Sequence, residues 1–302
     1  MRKVQKIKND LIYYMVIAAI RCFNLIPRGM AVYIGAGIGF IVYLLRKQDR
    51  RKAHRNLQMV YKDRLSASER KSIVRRVFTN FGRNLADVLR LKKYSSSQIM
   101  SLIDCEGIEH FDRVYHRGKG VIAATGHIGN FELLAAYFAA SGYKVAAIGR
   151  EMYDKRLNRL LVENRETMGL RNIDTQDSPR QMLKFLREGY ALGVLIDTDS
   201  MRVRSEFIPA FGKLSYTPVG QTILGLRSGA GFVPIACVRA GKRYKVIVKP
   251  EVAVERSGDF NKDVYNITLK CTKALEEIIN EHKDQWIWVH NRWLTRPKEP
   301  IK

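Results

Sequence analysis

His127 and Glu132 stand five residues apart in the stretch Val121 to Ala136, written VIAATGHIGNFELLAA. A carboxylate can hold one nitrogen of an imidazole and leave the other free to take a proton from a hydroxyl. No Ser or Cys stands beside this histidine. The attacking hydroxyl would therefore belong to a bound substrate, with His127 as its general base and Glu132 as the group that orients the ring. The competing reading is a satisfied loop histidine followed by a glutamate in the first turn of a helix, where negative charge is favoured. Spacing alone leaves both readings open.

The neighbouring residues indicate how the pair is positioned. Val121, Ile122, Ala123 and Ala124 form an apolar run of the kind found in parallel strands covered on both faces. Gly126 and Gly129 flank His127, where the chain must turn sharply or be closely approached. Asn130 suits a helix N-cap, and Phe131, Leu134 and Ala135 follow at helical spacing. This order places His127 at the carboxyl end of a strand, where open α/β sheets keep their chemistry.

GHIGNFE resembles the His-x4-Asp/Glu motif of glycerolipid acyltransferases, in the form used by the late acyltransferases of lipid A biosynthesis. The likeness covers almost the whole chain. It includes NFGRN at 80–84, GREMYDKRLNRLL at 149–161, ENRETMG at 163–169, VLIDTD at 194–199, FIPAFG at 207–212 and WIWVHNRWLTRP at 286–297. The resemblance implies direct transfer of a fatty acyl chain from acyl carrier protein, or alternatively from coenzyme A, to a hydroxyl of a lipid A precursor. Another glycolipid, a phospholipid or an aminolipid is the alternative acceptor. No cofactor or metal is implied, because a thiolate leaves readily and backbone donors can hold the oxyanion. The implied location is the bacterial inner membrane, with the site on its cytoplasmic face.

Substrate contacts follow from the same resemblance. Arg165 lies in ENRETMG, and Arg150 lies at the carboxyl end of a strand; guanidinium groups grip phosphate bidentately. Asp197 would orient an arginine or the acceptor, and with Asp199 it also offers a paired-carboxylate metal reading. Phe211, Gly212 and Thr217 would wall the acyl or acceptor pocket, Arg292 would face an acceptor phosphate, and Asn130 is counted with them. The family often has Pro before this Asp and Gln after it. Here Ile196 and Thr198 stand in those places, and Ala210 replaces the commoner aromatic of the FxxxFFG block.

The chain has 302 residues and a formal net charge of +24, which favours acidic partners. A basic nucleic-acid or membrane binding module is the non-enzymatic alternative. Its charge is dispersed, however, and no nucleic-acid motif is present. Cys22, Cys105, Cys237 and Cys271 have no metal spacing and read as free thiols in a reducing compartment. No HExxH, Walker loop or GxSxG elbow occurs.

Two apolar runs open the chain. Residues 11–26 are interrupted by Arg21 and ended by Pro27, while residues 29–45 carry no charge. Each is near the lower limit of the roughly 20 residues that a span needs. Ala31, Gly35 and Gly39 make a small-residue stripe suited to close helix packing. Arg46, Lys47, Arg50, Arg51, Lys52 and Arg55 follow, a cluster expected against anionic headgroups on the cytoplasmic side. Residues 1–48 thus read as a helical membrane anchor with a basic flank, the alternative being a buried helical hairpin. Residues 49–302 read as one α/β acyltransferase-like domain with a mostly parallel central sheet flanked by helices. Its strands are expected at 121–126, 144–148, 172–174 and 191–196, with a hairpin of 232–238 and 244–248. Helices are expected over 66–91, 107–117, 154–168, 178–189, 217–228 and 263–282. In the first of these, Ile73, Val77, Phe81, Leu85 and Val88 give the apolar face, and Asn84 and Asp87 read as part of a solvated face, while the resemblance implies that the helix lies beside the acyl-chain groove. The tryptophan-rich end reads as a packed strap, the alternative being an interfacial belt.

Overall fold

The computed structural model of the chain describes residues 3–149, 151–174 and 179–297. It opens with four helices, α1 (Lys3–Leu25), α2 (Arg28–Leu45), α3 (Lys47–Tyr61) and α4 (Ala67–Leu89). Pro27 separates the first two because it has no N–H to continue a helix. The capping box of α4 forms as the sequence suggests: Glu69 N donates to Ser66 Oγ at 3.2 Å, and Ser66 N donates to Glu69 Oε2 at 2.7 Å. Strands and helices then alternate: α5 (Ser96–Leu102), β1 (Ile103–Glu106), α6 (Ile108–Tyr115), β2 (Val121–Thr125), α7 (Phe131–Ala140), β3 (Val145–Gly149), α8 (Lys155–Glu166), β4 (Arg171–Asp174), α9 (Pro179–Arg187) and β5 (Ala191–Leu195). A hairpin of β6 (Ser205–Ala210) and β7 (Lys213–Pro218) leads to α10 (Gly220–Ser228). A second hairpin, β8 (Gly231–Ala240) and β9 (Arg243–Val248), precedes α11 (Phe260–Glu281).

The seven-stranded sheet has the order β1-β9-β8-β2-β5-β3-β4, and every neighbouring pair is parallel except β8 with β9. This is the expected α/β architecture. Every residue of β2 is buried. Ile122 and Ala124 join the apolar layer on one face, with Val264 and Leu275 of α11. Val121 and Ala123 join the layer on the other, with Phe111 of α6 and Leu133 of α7. This is the period-two alternation of a strand buried on both sides.

The structure holds elements that the sequence reading does not expect, among them α3, α5, the edge strand β1 and the β6–β7 hairpin. Thr217 and Pro218 do not open a helix but end β7, where Ser205 pairs with Pro218. A proline that cannot donate is tolerated at the end of a two-stranded edge.

Helix α2 packs along α4. Its buried residues are Ala31, Gly35, Gly39 and Tyr43, which is the small-residue stripe continued by one turn. A Cβ at Gly82 of α4 would collide with the Gly35 carbonyl oxygen, and one at Gly39 would collide with that of Phe78. The backbones therefore touch at a distance that only glycine allows. The opposite side of α2 is bare, with Tyr33 81% and Leu45 75% exposed. Among the described residues α2 is the one helix long and apolar enough to cross a membrane by length and composition.

Because α2 and α4 meet backbone to backbone, Gly82→Ala should part them and cost about 1–3 kcal/mol, the usual penalty for overpacking. Thermal unfolding of the detergent-solubilised protein should show a melting temperature lowered by several degrees. An unchanged melting temperature would mean that α2 is not integral to the folded unit.

Candidate active site

The turn carrying His127 is fixed from three sides. Its Gly129 N donates to the Gln285 carbonyl at 2.9 Å, and Asn130 N donates to that of Cys237 at 2.8 Å. Asn84 Nδ2 of α4 donates to the Gly129 carbonyl at 2.8 Å. Gly129 has φ +57°, and a Cβ there would strike the Cys237 carbonyl oxygen, so the turn needs glycine for both conformation and clearance. Asn130 caps α7 through Leu133 N at 3.1 Å, as its sequence position suggests.

The ring partner of His127 is Asp197, not Glu132. Asp197 follows β5, the parallel neighbour of β2, and Ile196 N reaches across to the Thr125 carbonyl at 2.9 Å. This brings the Asp197 carboxylate under the turn. Its Oδ1 is 2.9 Å from His127 Nδ1, and its Oδ2 accepts from His127 N at 2.7 Å and from Trp286 Nε1 at 2.8 Å. A Cβ at Gly126 would lie 2.8 Å from that Oδ2, so the second flanking glycine lets the carboxylate in. Burial opposes the Asp197 charge. The hydrogen bond and charge of His127, with the bond from Trp286, outweigh it and hold the pKa below the usual carboxylate range. An ionised carboxylate only accepts, so Nδ1 carries the proton and Nε2 is the free base.

His290, which the sequence reading passed over, stands edge-on to His127 with ring centroids 4.5 Å apart. Burial first, then the neighbouring His127, lowers its pKa to about 4. Its signal lay in the WIWVHNRW block, read for its tryptophans and Arg292. His127, Asp197 and His290 could each offer one ligand atom within 4.8 Å of the others. Both Asp197 oxygens already accept hydrogen bonds, however, so the cluster is a hydrogen-bonded set rather than an open ligand set.

Glu132 lies on the other side of the turn and engages Arg165. Arg165 Nε and Nη2 donate to its two oxygens at 2.9 and 2.6 Å, and Nη1 donates to Asn172 Oδ1 at 2.6 Å. The orienting role expected of Glu132 fails for a physical reason. Glu132, the second residue of α7, has both oxygens taken by Arg165, while Asp197 arrives at the end of the adjacent strand.

The remaining candidates scatter. Arg292 is buried, and it donates to the Thr198 carbonyl at 2.7 Å and to Thr217 Oγ1 at 2.9 Å; burial lowers its pKa to about 10. Thr295 N and Oγ1 hold Asp199 at 2.8 and 2.6 Å. The C-terminal strap thus binds Asp197, Thr198 and Asp199 in succession. Phe211 and Gly212 form the β6–β7 turn, with φ of 50° and 71°, and the Phe211 ring packs on Trp286, Trp288 and Trp293. Neither residue lines the groove beside His127. Arg150 lies outside the described residues.

Asn84 and Asp87 are buried rather than solvated. Asp87 accepts from Arg28 at 2.8 and 3.0 Å, Arg239 at 2.8 Å, Tyr94 at 3.0 Å and Tyr244 at 2.7 Å. Asn84 Oδ1 accepts from Arg239 Nε and from the Tyr244 hydroxyl, both at 3.1 Å. This network joins the start of α2 to the turn of His127. An apolar groove of about 390 Å³ runs from α2 and α4 to the turn, lined by Val42, Phe81, Leu85, His127, Glu132 and Trp286 among others. The expected face of α4 is present, but Phe81 and Leu85 are 57% and 43% exposed, because they line this groove instead of the core.

Residues 2–295 match the family model for bacterial lipid A biosynthesis acyltransferases. The chain is similar to the lipid A biosynthesis lauroyltransferase of Escherichia coli K12, 27% identical over 90% of this chain and 88% of that protein. It is 24% identical to the lipid A biosynthesis palmitoleoyltransferase of the same organism, over 90% and 87%. The phosphatidylinositol mannoside acyltransferase of Mycobacterium tuberculosis is 22% identical over 71% of this chain and 68% of its own length. With the match spanning the strand–turn–helix of His127, the segment of Asp197 and the C-terminal strap, the chain belongs to the bacterial lipid A biosynthesis acyltransferase family.

Proposed function

We propose that this acyltransferase moves a fatty acyl chain from the thioester of acyl carrier protein to a hydroxyl of a lipid A precursor, with His127 as general base. The observation that carries the reading is the His127–Asp197 pair at the end of the apolar groove. The acceptor hydroxyl gives its proton to Nε2 as its oxygen attacks the thioester carbon. Asp197 keeps the Nδ1–H tautomer and offsets the charge of the imidazolium that forms. The tetrahedral intermediate collapses, the C–S bond breaks, and the proton on His127 passes to the departing thiolate. The groove takes the acyl chain. Arg165, locked to Glu132, supports the wall beside the turn.

A direct attack suits the surroundings of the histidine. Cys237 is the cysteine nearest the turn, and complete burial pushes its thiol pKa far up. It is no nucleophile at neutral pH. The apolar helix α2 and the basic cluster of α3 support a bacterial inner-membrane enzyme working from the cytoplasmic face, with residues 1–48 as anchor and 49–302 as acyltransferase domain. Coenzyme A as donor and another glycolipid as acceptor are the alternatives.

His127→Ala should lower turnover by roughly 10²–10⁴-fold with the fold intact, and Asp197→Asn should lower it by a similar factor. Wild-type-like rates in either variant, assayed with defined acyl-carrier donors and lipid acceptors, would defeat the base assignment. Glu132→Ala should also lose activity, because it strands the Arg165 charge. The double variant Glu132→Ala/Arg165→Leu should recover part of that loss, since removing both members of a buried pair costs less than removing one. No recovery would mean that Glu132 itself meets the substrate.

Labelled donor incubated without acceptor should leave no stoichiometric label on the denatured enzyme. Covalent label at one equivalent would replace the direct route with a two-step one.

Acid should weaken the fold in two stages. Folded His290 takes its proton near pH 4, whereas the unfolded side chain takes it near 6.5. The unfolded chain therefore binds more protons between those values, and stability falls as the pH drops from 6.5 towards 4. The contribution is at most ~3.5 kcal/mol, at about 1.4 kcal/mol per pKa unit. Asp197, whose folded pKa is depressed, adds stability above about pH 4 and loses it below. His54 and His282, both lowered chiefly by burial, act in the same direction as His290. Denaturant titrations at pH 7, 5.5 and 4.5 should thus show a shallower decline in His290→Gln than in the unaltered protein. Parallel declines would show that His290 is not held neutral.

A further inference from the structure

Beside the last turn of α2, between α3 and α4, lies a second groove of about 810 Å³, lined by Tyr43, Arg50, His54, Arg55, Arg70 and Lys71 among others. Among the described residues no carboxylate lines it. Two of its cations are fixed by backbone bonds: Arg50 donates to the Tyr43 carbonyl at 2.8 Å, and Arg70 donates to the carbonyls of Leu65 and, at 3.3 Å, Lys62. Arg55 and Lys71 are exposed. The convergence is felt at His54, whose pKa is lowered by burial and then by Arg70, Arg50 and Lys71. Like charges gathered without a counter-ion repel one another, and an anion in the groove would relieve that repulsion. The groove also has an apolar lip: Leu44 and Leu45 beside it are 52% and 75% exposed. Tyr43 lines this groove and Val42 lines the apolar one at His127, so the two share the end of α2.

We propose that this basic groove binds the phosphate headgroup of an anionic membrane lipid, whose chains lie along the bare side of α2. The assignment rests on the reading of α2 as a membrane anchor. Guanidinium forks match phosphate oxygens, and the ammonium of Lys71 adds a point charge. The adjoining apolar lip favours a lipid over an acidic protein, which would meet the cations without burying Leu44 and Leu45. A soluble phosphate ester carries the same headgroup chemistry without the chains.

The test uses the full chain in neutral detergent, incubated with phosphatidylglycerol, phosphatidylcholine or glycerol 3-phosphate and read by native mass spectrometry. Retention of phosphatidylglycerol should exceed that of phosphatidylcholine by about fivefold or more, given the headgroup attraction of two basic residues. Arg55→Gln/Lys71→Gln should bring the two lipids within twofold of each other. The charge-matched pair Lys262→Gln/Lys273→Gln, on exposed positions of α11, should keep the preference, with melting temperatures confirming that both variants fold. No preference in the unaltered protein, or an undiminished preference in the first variant, overturns the proposal. So does glycerol 3-phosphate competing as well as the lipid does, which would make the ligand a soluble phosphate. Loss of carrier-protein binding with lipid retention unchanged would make the groove a protein contact and overturn it equally. Vesicle flotation separates the two readings. Binding to neutral and anionic vesicles alike leaves α2 an anchor and defeats only the groove, whereas binding to neither defeats both.

Discussion

The Asp197 carboxylate is buried and charged, and it is held by His127 at both backbone and ring. An ion so placed is tolerated only when each of its oxygens is answered by a donor. Meeting that condition recruits distant parts of the chain. The parallel pairing of β2 with β5 brings the carboxylate beneath the turn. Gly126 leaves room for it, and Trp286 supplies the third donor from the far C-terminus. Trp286 is held for this by Trp288, Trp293 and Phe211, which pack around it, by Tyr61, which packs on Trp288, and by Asn56 of α3, which holds the carbonyls of Trp288 and His290 at 2.7 and 3.0 Å. The aromatic strap is therefore the means by which a buried charge is kept aimed at one imidazole nitrogen.

A second buried carboxylate organises the other side of the turn. Asp87 draws Arg28, Arg239, Tyr94 and Tyr244 into one network, and Asn84, one turn earlier on α4, passes that order to the Gly129 carbonyl. Arg28 is the first residue of α2. The helix with the bare apolar side is thus tied to the turn of His127 through one layer of hydrogen bonds, and the same helix supplies Val42 to the groove. Moving α2 would disturb both the groove and the network that fixes the turn.

Local pattern revealed the framework well. The apolar run of β2, the Ser66–Glu69 capping box, the glycines about His127 and the hairpin of β8 and β9 are all short-range signals, and each corresponds to an observed element. The small-residue stripe of α2 was legible too, although its partner, Gly82, was not. What escaped was long-range. Glu132 lies five residues from His127 and Asp197 lies seventy, so spacing pointed to the nearer carboxylate, while strand adjacency selected the farther one. Asn84 and Asp87 looked like a solvated face because polar residues on a helix usually are. Their burial depends on Arg239 and Tyr244, which no pattern within α4 discloses. His290 was hidden among tryptophans, and the β6–β7 hairpin was masked by Pro209 and Pro218.

The charge of the chain acquires a direction from these positions. Asp87 and Asp197 are buried and bonded to their own cations or donors, and Glu132 is locked to Arg165, so the acidic groups nearest the turn of His127 are already engaged. Among the described residues Arg50, Arg55, Arg70 and Lys71 form no ion pair, and they line the basic groove where the apolar length of α2 ends. An apolar groove that reaches His127 thus starts beside a concentration of positive charge. The two environments are separated by little more than the step from Val42 to Tyr43, so a shift of the end of α2 would move the apolar groove and the basic one together.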